Sequence, residues 1–242
     1  MTYEEMAYAQ YRLWKDDLLK ESNKFNQLAK NLQNKINTII PQKVHDVITT
    51  SIKQMVRTVL VGTEWTTKKE ISRASISLKE REELLTKKQK TYTRLASAEG
   101  AGTGAGGFLI GLADFPLLLS IKIRFLYEVA SLYGYDVRDP GERLFILYIF
   151  QLAFSSETKR KETFHLLKEW GLHPILPGDF DWQTFQQEYR DSMDIAKLLQ
   201  FLPGIGAVVG AVVNYRLLDH LATTAKQVYR MRYFQNKNQA PQ

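Results

Sequence analysis

The 242-residue sequence predicts an all-α protein, a helical bundle in which two glycine-rich apolar helices pack together. Three observations carry that prediction. Apolar side chains recur three, four or seven residues apart through most of the chain, the spacing of one helix face. No segment alternates apolar and polar residues with period two, and no hairpin dipeptide separates two apolar runs. Helix punctuation falls where the runs end, at Pro41, Gly62, Gly134, Asp139-Pro140-Gly141, Gly171 and Asp181.

Over 3–39 the apolar positions Tyr11, Leu18, Phe25, Leu28, Leu32, Ile36 and Ile39 line one helix face, which Pro41 closes. Residues 42–61 repeat the pattern with Val44, Ile48, Ile52, Met55, Val56 and Val59, and Gly62 suits a C-cap. The stretch 63–77 is polar and reads as a loop with room for a short helix. Residues 79–98 read as an exposed helix, rich in Glu and then in Lys, with Leu84, Leu85 and Leu95 as its apolar contacts. An apolar helix over 117–133 ends at Gly134. Asp139 can then cap free backbone N–H groups, Pro140 sits where no N–H is needed, and Glu142 can reach back three residues. The helix that follows, 140–154, is apolar on most faces and is expected to be buried. Ser156 opens another helix, which Gly171 closes, and Asp181 caps one from 182 to about 202. Pro203 opens the last, which runs to about 234. Composition divides the chain into a basic amphipathic region over 1–99, a glycine-rich helical core over 100–235 and a polar tail over 236–242, expected to be disordered.

A hydrophobic share of 44% can fill a core, and a mean hydropathy of −0.30 argues against a polytopic membrane protein. The absence of cysteine excludes disulfides, thiolate metal sites and cysteine catalysis, and fits a reducing compartment. The N-terminus lacks the basic region and apolar run of a secretory signal. Net charge is +7, and residues 1–99 carry 18 Lys+Arg against 12 Asp+Glu while the remainder is close to balanced. Such an excess attracts nucleic-acid phosphates or anionic lipid headgroups, or is a solvated lysine-rich helix surface.

Six of the 14 glycines fall within 100–111. Gly102/Gly106, Gly107/Gly111 and Gly206/Gly210 are each four apart, one stripe of a helix, where a missing side chain lets a second backbone approach closely. Each helical glycine costs roughly 1 kcal/mol against alanine, so tight packing or a lipid environment has to offset them. The alternative for 100–107 is a flexible loop. The 18 residues 198–215 contain no charge, and Asp114 is the one ordinary charge before Lys122 in the first segment. Both segments approach the roughly 20 apolar residues of a bilayer span, so a conditionally inserted hairpin and the buried centre of a bundle both remain open. Asp114, inside GLADFPLLLSI, either caps the helix that follows or pairs with Arg124, Arg216 or Lys122.

No catalytic chemistry can be read here. The GxGxxG at 102–107 follows a polar helical stretch rather than a buried strand, so it is not a dinucleotide loop. The four histidines form no HExxH pair, GxSxG is absent, and neither metal nor cofactor is expected. The C-terminal helix interleaves Arg216, Lys226, Arg230 and Arg232 with Tyr215, Tyr229, Tyr233 and Phe234. That pattern suits a membrane interface, single-stranded nucleic acid or an ordinary amphipathic helix.

At GGFLIGLADFP (106–116), IKIRFLYEVASLYGYD (121–136), DPGERLFIL (139–147) and LPGIGAVVGAVVNYRLLDHLATTAKQVYRMRY (202–233) the chain resembles the EcsC family. The resemblance spans most of 95–235 and is weaker before it. The family is named for a bacterial protein encoded beside the subunits of the Ecs ABC transporter, a system linked to protein secretion and membrane-protease function. The glycine-rich segments and the basic N-terminal half, taken with the resemblance, lead to the expectation of a cytoplasmic protein peripheral to the membrane, whose partners are anionic lipid or a membrane protein such as a transporter subunit, rather than nucleic acid. The resemblance carries over no catalytic residue. Asp114, Pro116, Tyr135, Asp136, Glu142, Arg143, Asn214 and Tyr215 are the matching positions; the candidate polar residues are Asp114, Arg124, Tyr135, Asp136, Glu142, Arg143, Asn214 and Arg216. A soluble bundle that binds a lipid or small apolar ligand, and a carboxylate enzyme centred near Asp114, are the alternatives.

Overall fold

Two long helices, Leu78–Gly106 and Gly206–Gln239, make the most extensive contact in the fold and run antiparallel, with Glu82 bonded to Arg230 and Gln89 to Asp219. They are α3 and α8 of the eight helices in a computed structural model that describes residues 1–20, 42–61, 76–106, 115–171, 178, 180–189 and 206–239. The others are α1 (Tyr3–Leu19), α2 (Gln42–Val61), α4 (Phe115–Leu132), α5 (Pro140–Ala153), α6 (Glu157–Lys168) and α7 (182–189). No strand occurs among the described residues, so the chain is all-α as its periodicity predicts.

Local chemistry explains where the helices begin. Thr2 and Glu5 form a reciprocal capping box on α1, each side chain bonding the other's backbone N–H. Ser77 and Glu80 do the same for α3, at the end of a stretch read as polar loop. Asp139 caps α5 through the Gly141 N–H at 2.9 Å, and Pro140 follows at the first helical position. Asp181 accepts from the Thr184 N–H at 3.0 Å and so starts α7. Gly134, at φ +92°, lets the chain turn out of α4, a conformation that penalises any Cβ.

The structure departs from the sequence reading in four places. The helix predicted over 3–39 stops at Leu19, where Lys20 turns extended (φ −61°, ψ 143°); Phe25, Leu28, Leu32, Ile36 and Ile39 lie outside the described residues. The helix predicted over 79–98 continues without a break to Gly106, joining it to the glycine-rich helix that the sequence favours over a loop. It is not simply an exposed helix. It buries Leu78, Arg81, Glu82, Leu85, Thr93 and Ala96 and leaves Leu84 and Leu95 open. The C-terminal helix runs past 234, and Asn236 and Lys237, placed in a disordered tail, are helical and bonded to Tyr135 and Glu4.

The core lies in α4 and α5. Every residue of α5 from Glu142 to Ala153 is buried, as its composition predicts, and α4 buries Phe115, Leu119, Phe125 and Leu126 among others. A large aliphatic or aromatic side chain taken from water contributes about 1.5–3 kcal/mol, so this layer holds the bundle together. α4 also lies along α3, with a Lys88–Glu128 pair at 3.1 Å and Tyr92 edge-on to Phe125 at 5.5 Å. α2 covers α4 and α5, α6 packs on α5, and α1 lies against α8 and α3.

Candidate functional site

Polar side chains converge where α1, α3 and α8 meet. Glu82 is 2% exposed, yet its carboxylate receives five donors. Oε1 accepts from Arg230 Nε at 2.7 Å and the Tyr133 hydroxyl at 3.1 Å. Oε2 accepts from Arg230 Nη2 at 2.6 Å and the Tyr3 hydroxyl at 2.8 Å, with Lys226 Nζ at 3.1 Å. Arg230, 1% exposed, turns its remaining nitrogen to Gln10 Oε1 at 2.9 Å. Burial opposes ionisation of Glu82, but the fork of Arg230, helped by Lys226 and Tyr3, outweighs it and holds the carboxyl below its ordinary range. Burial, followed by the bond to Glu82, raises Tyr3 to about 12, so its hydroxyl stays protonated as a donor.

A second buried carboxylate lies beyond the Tyr133–Tyr229 stack, whose rings are 5.3 Å apart. Glu142 accepts from the Tyr229 hydroxyl at 2.6 Å and Arg232 Nη1 at 2.7 Å. Arg232 in turn lies 3.7 Å over the Tyr135 ring and 4.1 Å over Phe145. Here burial wins: with one cation and one hydroxyl as partners, Glu142 is pushed above the usual carboxylate range. The two carboxylates are shifted in opposite directions because Glu82 meets two cations and Glu142 one.

These geometries are those of a structural clasp. A carboxylate has about four acceptor positions, and those of Glu82 are filled by protein donors. No lone pair remains for a proton or a substrate. Arg143 is also structural: it donates to Arg138 O at 2.6 Å and Leu60 O at 3.0 Å, tying the end of α2 to the turn before α5. Among the described residues no three His, Asp or Glu side chains converge as a metal site requires.

Tyr135 and Glu142 meet at Arg232, while Arg143 turns to the end of α2, and Glu142 does not reach back to close a capping box. It turns inward, because Tyr229 and Arg232 can satisfy it and the Asp139 side chain already serves the helix start. Asp136 pairs with Arg138 at the surface. Arg124 and Arg216 are exposed and Asn214 is buried. Asp114, Gly107 and Gly111 lie outside the described residues, and Gly102, Gly106, Gly206 and Gly210 lie within α3 and α8. Glu82, Arg230, Tyr3, Tyr133 and Tyr229 were not named as site residues. Glu82 did carry a signal, since Leu78 and Leu85 put it on a buried stripe at spacings of four and three.

Several large apolar side chains are exposed toward the glycine-rich end. Leu95 and Leu117 are each 46% exposed, Val212 44% and Tyr215 52%. They belong to the last turns of α3 and the first turns of α4 and α8, the helix ends that carry or adjoin the glycine-rich segments. Arg94, Arg124 and Arg216 are exposed on the same three helices.

The sequence matches the EcsC protein family over residues 5–234, so the likeness extends through the N-terminal half as well. Protein EcsC of Bacillus subtilis (strain 168) is 44% identical over 232 residues, 96% of this chain and 97% of that protein. The uncharacterized protein YdbA of the same organism is 30% identical over 147 residues, 59% of this chain and 54% of that one. No solved structure matches the chain.

Proposed function

The chain belongs to the EcsC family, and on that premise we propose that it is a membrane-peripheral accessory protein, meeting anionic lipid on the cytoplasmic side in the service of a membrane transport or secretion system. The observation that carries the reading is the glycine end of the bundle, where Leu95, Leu117, Val212 and Tyr215 are open to solvent beside Arg94, Arg124 and Arg216. Aliphatic and aromatic side chains among arginines suit the headgroup boundary, where apolar bodies enter lipid and guanidinium groups stay at phosphate level. No helix among the described residues is long and apolar enough to cross a membrane.

The glycines have a part in this reading. Extended along both helices, the registers of Gln89 with Asp219 and of Glu82 with Arg230 would set Gly102 against the turn from Gly206 to Gly210. Close backbone approach there would offset the glycines' low helix propensity and keep the end narrow.

Flotation with vesicles tests the proposal. The protein is expected to float with phosphatidylglycerol vesicles at low salt and less with phosphatidylcholine. The Val212→Glu, Tyr215→Glu double variant is expected to lose flotation with its thermal midpoint unchanged. A wild-type protein that stays at the bottom of the gradient with anionic vesicles refutes the reading.

A further inference from the structure

An open groove of about 850 Å³ runs between α3 and α4. Its size lies within the roughly 300–1,000 Å³ of small-molecule sites. We propose that it takes up one anionic single-chain lipid from the membrane, the acyl chain along its apolar wall and the headgroup against its lysines. This deepens the membrane-surface reading and rests on it for the source of the ligand.

Three features point to that occupant. The wall is apolar and wet: Leu84, Leu95 and Leu117 are 37%, 46% and 46% exposed and all line the groove, so a ligand covering them removes three large side chains from water. Charge is one-sided. Lys87, Lys88 and Arg124 line it and no carboxylate does among the described residues; Glu128, beside it, takes up Lys88 at 3.1 Å and leaves the lining net cationic. The two features are also separated along the groove. From Lys88 to Leu95 the apolar wall runs about 10 Å along α3, with Leu84 one turn beyond the lysines, enough for the first methylenes of an acyl chain. Lys87 and Lys88 stand about two turns from Leu95, which with Leu117 lies toward the glycine end. An amphiphile with its tail toward that end places its anion at the lysines, while Ser120, one turn from Leu117, lies on the tail side.

Calorimetric titration of the full chain, free of vesicles and below the micelle-forming concentration, tests this with lysophosphatidylglycerol and lysophosphatidylcholine of one chain length. The expected result is one lysophosphatidylglycerol per chain, bound roughly tenfold tighter than the zwitterionic lipid. Lys87→Glu should abolish that preference. Leu117→Gln should weaken both lipids by roughly tenfold. Both side chains are exposed, so unchanged thermal midpoints confirm that the variants fold. Absence of binding, binding that neither variant alters, or binding of an acidic amphipathic peptide in place of the lipid overturns the groove assignment. In each of these cases retained flotation on anionic vesicles would leave the membrane-surface reading standing. Monomer binding with lost flotation would support the groove and sink the surface reading.

Discussion

Replacing Glu82 by Gln tests whether the polar interior holds the bundle together. The change keeps shape and removes charge. Arg230, 1% exposed and forked onto both carboxylate oxygens, would then be buried beside a neutral amide, with Lys226 as a second uncompensated cation. Breaking a buried pair from one side costs about 3–5 kcal/mol. At about 2–4 °C per kcal/mol for a chain of this size, the thermal midpoint should fall by about 6–20 °C. Circular dichroism at 222 nm during heating and urea unfolding reads both quantities. Glu82 is held below its ordinary range, so its contribution is present above the unfolded value of about 4.5 and is lost as pH falls through the lower folded value. The gap between wild type and Glu82→Gln should therefore be widest near neutrality and close in acid. A variant within 1 kcal/mol of wild type at pH 7, or a gap that does not change with pH, would refute the assignment of Glu82 as a charged clasp.

Glu142→Gln should behave differently. Burial raises that carboxyl, so its favourable contribution belongs to low pH and is lost as pH rises through the folded value; at pH 7 the amide should cost no more than about 1 kcal/mol by urea unfolding. Gly134→Ala forces a Cβ onto φ +92°, 3.4 Å from Arg81 Nη1, and should cost about 1–2 kcal/mol, measured as a lower denaturant midpoint with unchanged slope. Asp139→Ala removes the α5 cap and should cost about 1 kcal/mol, with Asp139→Asn restoring most of it.

Much of the fold was legible because helices announce themselves twice, by apolar spacing and by their ends. The α5 start at Asp139-Pro140 and the exit from α4 at Gly134 were read correctly because cap, proline and glycine act within a few residues. Glu82 was not, because Arg81-Glu82-Glu83 has the composition of a solvated helix surface and its partners lie 51 and 148 residues away. Local pattern carries no information about contacts that distant. Glu142 shows the same limit from the other side. A capping box was a sound local expectation, and it lost to Tyr229 and Arg232, which approach from α8. The open groove could not be read at all, since Leu84 and Leu95 look like core positions until α3 is placed against α4 and α8 and they face outward.

The clasp and the glycine-rich segments sit at opposite ends of the same helix pair. From Glu82 to Gly106 is 24 residues of α3, about 36 Å. At the clasp end α1 is tied in as well, through Tyr3 to Glu82, Gln10 to Arg230 and Glu4 to Tyr233. At the other end Leu95, Val212 and Tyr215 are exposed. Sites this far apart, with no shared partner, contribute additively. Under the proposed membrane role that separation has a consequence: the clasp sets global stability, while the glycine end can adjust to lipid without loosening it. Combining Glu82→Gln with Val212→Glu and Tyr215→Glu should therefore lower the midpoint as far as Glu82→Gln alone, and abolish flotation as completely as the surface pair alone. A midpoint drop larger than that of Glu82→Gln would mean that the two ends are coupled through α3 and α8, and that the bundle answers to lipid as one body.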